Sequence, residues 1–257
     1  MTAHSTEPAG DSASEPSAGP PVRGLRQRRV LPSNQHRMVG PFMVLDQFGP
    51  ADPDAAASFE PLESVECGLA VLTYLFDGEI VRTDNLGRER TIRAGEVCQI
   101  TTTSGSIRSR SAHTQQRRGA NYLFGMEAWV ARDAINEDDE ATILHFGTSE
   151  IPRLCERGVE FTLIAGTSDG LISPVTMATD LVYAAIVLTS GATYQIKPEH
   201  RERAIYVVGG DVELVGRAGL LGEAELIILD PGRDYVVKAP AFHSARLMLL
   251  GGARTLL

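Results

Sequence analysis

Short apolar runs, each closed by a glycine or proline turn, recur at close intervals along the first half of this chain and again along the second. Strands are expected at 39–50, 69–83, 90–101, 106–113 and 121–131, with turns marked by Asn85-Leu86-Gly87 and Arg93-Ala94-Gly95. The rhythm resumes at 159–166, 180–191, 193–198, 203–216, 224–232, 234–240 and 245–252. In each half a strand runs into a glycine turn, TYLFDGEI (73–80) and IYVVGGDVEL (205–214), and a later turn also ends in glycine, IRAGEV (92–97) and LDPGRD (229–234). Such spacing predicts an all-β sandwich or barrel rather than βαβ units. Its repetition predicts an internal duplication of one small β-barrel.

A chain of 257 residues can bury two ordinary cores. The acidic break INEDDE (135–140) is the expected crossing, dividing a first domain at 26–140 from a second at 141–257. Residues 1–25 lack large apolar side chains and are expected to be disordered, and the basic stretch 23–29 reads as a solvated boundary. The formal net charge of -9 argues against direct nucleic-acid binding, though not against a protein partner. No apolar run is long enough for a membrane span, and the N-terminus has no secretory pattern. Cys67, Cys98 and Cys155 do not form a disulfide framework, so a cytoplasmic location is expected; Cys67 and Cys98 read as buried small hydrophobes.

The duplicated pattern is similar to a bicupin, two jelly-roll barrels in one chain, and the likeness goes further than fold. The segment 22–50, with its Val-Gly-Pro-Phe and Asp-x-x-Gly-Pro, resembles the opening of bacterial pirins. GLAVLTYLFDGEIVRTDNLG (68–87) resembles the pirin segment Gly-Leu-Ala-Thr-Val-Thr-Tyr-Leu-Phe-Glu-Gly. LFGMEAWVA (123–131) resembles Leu-His-Gly-Leu-Gln-x-Trp-Val, and 198–214 and 245–252 resemble second-domain strands. Membership of the pirin family implies a first cupin barrel holding one transition metal, usually iron, through a His-x-His pair and a later His-x-Glu pair. Residues two apart on a strand point to one side, so each pair could aim into the barrel together. Two imidazoles, a third and a carboxylate would bind a divalent ion with positions left open.

This chain departs from that pattern at all four places. The first pair falls on Ser64 and Glu66, the second on Arg108 and Arg110. Arginine stays protonated and offers only donors, serine is a poor ligand, and one carboxylate does not make a site. No cofactor is therefore expected. Two arginines and Glu66 carry the same formal charge as a divalent ion and one carboxylate. Glu66 could pair with Arg108 or Arg110 inside the barrel, leaving a surplus suited to a small anion; alternatively the barrel mouth is a solvated polar surface. His113 is a further candidate to line the pocket.

Other motifs are absent: no GxSxG, phosphate loop or GxGxxG is present. His200 and His243 are expected at the surface of the second domain, where Lys197 and Glu199 do not make a metal set, and Trp129 in the core. Two function classes follow. One is a metal-free pirin-like module that binds a small molecule or a protein. The other, implied by the resemblance, is a metal-dependent dioxygenase of the quercetin 2,3-dioxygenase type, whose chemistry requires the metal that these residues do not hold.

Overall fold

The computed structural model describes residues 17–18, 27–51, 68–83, 89–101, 110–112, 123–132, 142–175, 177 and 179–254. Among them there is no helix, and so none long and apolar enough to cross a membrane. Every strand pairing is antiparallel.

The first half builds a large sheet from β1 (Ser17–Ala18), β2 (Gln27–Leu31), β3 (Phe42–Ala51), β9 (Leu123–Ala131), β4 (Leu69–Asp77), β7 (Val97–Thr101) and β10 (Thr142–Phe146), in that spatial order. Facing it is a small sheet of β6 (Glu89–Arg93), β5 (Glu79–Thr83) and β8 (Arg110–Ala112). The second half repeats the plan. Its large sheet runs β11 (Arg153–Glu156), β12 (Val159–Ser168), β14 (Leu181–Leu188), β21 (Ala245–Gly252), β16 (Glu202–Gly209) and β19 (Leu226–Leu229), with β13 (Leu171–Ile172) hairpinned onto β12. Its small sheet is β15 (Thr193–Ile196), β20 (Tyr235–Lys238), β17 (Val212–Leu214) and β18 (Leu220–Leu221). The bicupin architecture expected from the duplicated rhythm is therefore present. β10 follows the division expected at 140/141 and still pairs with β7 of the first large sheet. Of residues 1–25, only Ser17 and Ala18 are described; they pair with Arg29 and Arg28.

The central strands read as continuous apolar runs because both of their faces are buried. On β4, Leu69, Val71 and Leu75 enter the core of the first barrel, whereas Leu72 and Tyr74 enter a core between the two large sheets. β14 alternates likewise: Val182, Ala184, Ile186 and Leu188 fill the second barrel, Leu181, Tyr183 and Ala185 the middle core. The molecule thus has three apolar layers, with the large sheets back to back around the middle one. Polar ties cross that seam. Tyr206 Oη donates to Gln47 Oε1 at 2.5 Å, and Gly40 N donates to Glu202 Oε2 at 2.9 Å. The Arg246 guanidinium lies 4.7 Å from the Phe76 ring centroid and 5.5 Å from that of Phe124.

Local backbone chemistry sets the hairpins. Arg157-Gly158 and Asp169-Gly170 each supply two successive positive φ values, 49° and 80°, then 51° and 75°, as two-residue hairpin turns require. Gly166 has a stricter role: its φ is +82° and a Cβ there would stand 1.8 Å from the Leu181 carbonyl oxygen. Gly166→Ala should therefore destabilise the second barrel by at least about 2 kcal/mol, measured by denaturant unfolding.

Candidate functional site

The interior wall of the first barrel is crossed by a row of polar side chains, one from each successive strand. Arg29 of β2 is the register partner of Asp46 on β3, Asp46 of Glu127 on β9, Glu127 of Thr73 on β4, Thr73 of Cys98 on β7, and Cys98 of His145 on β10. Directly opposed residues in antiparallel strands project to one face. That face is the barrel interior, since Cys98 itself and the alternate neighbours Phe48, Val71, Leu75 and Ile100 all lie in the first barrel's core.

Most of the row is removed from water, and each buried charge has a partner. Arg29 binds Asp46 through two of its three guanidinium nitrogens, Nε to Oδ1 at 2.5 Å and Nη2 to Oδ2 at 3.0 Å, while Gln27 Nε2 donates to Oδ2 at 3.1 Å. Burial nevertheless pushes the Asp46 carboxyl above the usual carboxylate range. Arg29 opposes that shift, and the nearby Glu127 adds to it. Glu127 meets a second arginine, which comes from the opposite wall. Arg82 of β5 is 1% exposed; its Nη2 donates to Glu127 Oε2 at 2.8 Å and to Thr73 Oγ1 at 3.0 Å. Thr73 Oγ1 in turn donates to Glu127 Oε2 at 3.4 Å. Two arginines thus balance two adjacent carboxylates. Burial pushes the Cys98 thiol up to about 11, so it stays neutral beside them. At the far end of the row His145 Nε2 lies 2.8 Å from Glu96 Oε2, which also accepts from Arg93 N.

Of the residues singled out from sequence, Ser64, Glu66, Arg108 and His113 lie outside the described residues, as does Cys67. Arg110 opens β8 as the register partner of Thr83, and Ser111 is the partner of Arg82. Arg82 therefore leaves its strand one residue from the level of Arg110. The basic stretch read as a solvated boundary needs correction at Arg29, which forms the ion pair with Asp46. Signals for the row were present in the sequence. Asp46 and Glu127 are single charges within otherwise apolar runs, and Glu127 stands where the pirin segment has Gln.

The second barrel also buries an arginine. Arg203 is 1% exposed and donates to three main-chain oxygens, those of Lys197, Asp230 and Arg233, each at 2.8 Å. The positions expected not to hold a metal there are engaged otherwise. Lys197 Nζ donates to Asp169 Oδ1 at 2.7 Å, and Glu199 accepts from Ser168 Oγ and Asp169 N. His243 is exposed as expected, but His200 is not: it is 5% exposed, with Nε2 at 2.8 Å from the Thr167 oxygen and Nδ1 at 3.2 Å from Asp180 Oδ2. It ties the end of β12 to the residue that precedes β14.

Comparison with known proteins settles the family. The Pirin profile matches residues 24–130 and that of the pirin C-terminal cupin domain residues 183–254. A pirin-like protein of Caulobacter vibrioides is 38% identical over 227 residues, 87% of this chain and 77% of that protein. This chain belongs to the pirin family. Among solved structures, quercetin 2,3-dioxygenase from Acinetobacter baumannii superposes with a TM-score of 0.80 at 23% identity, covering 95% of this chain and 79% of that one. The bacterial pirin YhhW from Escherichia coli, in complex with nickel(II), superposes with a TM-score of 0.64 at 13% identity, covering 94% and 99%. At these identities the two structures share the fold with this pirin.

The family's metal can be tested against the donors that this pirin offers. The places where the family resemblance implies ligands carry one hydroxyl, one carboxylate and two guanidinium groups, and among the described residues the first barrel's interior holds the cation of Arg82. Such a set does not fit a divalent transition metal. Among the described residues, no group of three or more His, Cys, Asp or Glu is gathered as a metal site would need.

Proposed function

We propose that this pirin is a metal-independent member of its family that acts as a small-ligand-binding or regulatory module rather than as a dioxygenase. One observation carries the reading: arginines stand at 108 and 110, where the family pattern has a ligating histidine and glutamate. A guanidinium cannot donate a lone pair to a metal, and two of them repel an approaching dication. The same residues suit a small anion, such as a carboxylate, which a guanidinium grips with two parallel hydrogen bonds. The likeness to quercetin 2,3-dioxygenase supports the barrel and not the chemistry, because the reaction depends on ligands that this sequence replaces.

Elemental analysis of protein purified from metal-supplemented medium tests the proposal. Iron, nickel, copper, manganese and zinc together should amount to less than about a tenth of an ion per chain. Close to one ion per chain of any of them would overturn it.

A further inference from the structure

We propose that Thr73 and Glu127 form a cation cradle inside the first barrel and that Arg82 fills it as a resident cation. The cradle belongs to strands, not loops. Thr73 and Glu127 are register partners on β4 and β9, so their oxygens are set side by side by main-chain pairing. Arg82 enters from the facing small sheet, where β5 is held between β6 and β8. One carboxylate and one hydroxyl meet one guanidinium, and all three residues are buried. The flanking Cys98 thiol, pushed up to about 11 by burial, adds no competing anion.

This donor set defines the chemical class that it accepts. Among the described residues the set is one carboxylate with a hydroxyl, which suits a monovalent cation that donates planar hydrogen bonds. Removing the Arg82 side chain would leave Glu127 buried without its cation, a costly state. It would also leave a hole of guanidinium shape. The cradle should then take up a small guanidinium ion from solution.

Trp129 reads the result directly. It is the one tryptophan of the chain, two residues from Glu127 on β9, and packs against the first barrel's core. Thermal unfolding of the full-length Arg82→Ala protein, followed by Trp129 fluorescence, should show a midpoint lowered by roughly 6–20 °C relative to wild type. Millimolar guanidinium chloride should restore about half of that loss, whereas tetramethylammonium chloride at equal ionic strength should restore none. Wild type should gain nothing from either salt.

An Arg82→Ala midpoint equal to that of wild type would overturn the proposal, and so would equal rescue by both salts or by neither. If Arg82→Ala does not fold, the titration is run on Arg82→Lys, which keeps the charge but not the planar donors. Its midpoint should lie below that of wild type, and neither salt should raise it, because the lysine ammonium already fills the cradle; an unshifted midpoint or a rise with guanidinium counts against the cradle. The inference is independent of the metal-free reading. Metal content decides one, and the salt response decides the other.

Discussion

Glu127→Leu alone should cost the first barrel about 3–5 kcal/mol, whereas combining it with Arg82→Met should return most of that loss. The single exchange leaves Arg82 at 1% exposure with its carboxylate gone. Its guanidinium keeps the bond to Thr73 Oγ1, but a neutral acceptor does not replace the carboxylate. The double exchange removes both ions and puts apolar volume among Val71, Leu75, Ile80 and Cys98, which already line that core. Chemical denaturation followed by Trp129 fluorescence gives the four midpoints of the cycle. A coupling between the two sites near zero would show that the pair contributes nothing of its own. The expected coupling is instead of the order of 2 kcal/mol or more, as befits groups 2.8 Å apart and out of water.

The second large effect is a gain. Changing Ser64→His, Glu66→His, Arg108→His and Arg110→Glu together restores the family's donor set, and the protein should then bind roughly one divalent transition metal per chain. Elemental analysis after dialysis provides the count. Binding should weaken as pH falls through the imidazole range, because each ligand must shed its proton to coordinate. No uptake by a folded variant would show that more than the four side chains separates this pirin from its metal-binding relatives. The barrel would then differ from theirs in more than its ligands.

The duplicated strand rhythm was legible because turn chemistry is local: Gly78 and Gly210 announce sharp turns, and both stand at positive φ where the chain passes from a large sheet to a small one. Membership of the pirin family was legible for the same reason, since contiguous segments carry it. The polar row was not, because it exists only after six strands have been aligned. Asp46, Thr73, Glu127, Cys98 and His145 are scattered over a hundred residues of sequence and become neighbours through register alone. Arg29 was misread as a solvated boundary residue because its partner lies on another strand. His200 was assigned to the surface because a histidine beside charged residues gives no local sign that a carbonyl and a carboxylate will enclose it.

The row also bears on how the sheet finds its alignment. Strands apolar on both faces carry little pattern by which one register can be told from another: sliding Leu69–Asp77 along its neighbours exchanges one aliphatic contact for another. The row removes that degeneracy. A slip of a single residue would turn Glu127 or Asp46 toward the middle core, among Leu72, Ala128 and Ala165. A slip of two would keep the face but part each carboxylate from its arginine. Both errors strand an ion away from water, so the charges act as a key cut to one lock. In this barrel, the ionic residues proofread the pairing of the apolar ones.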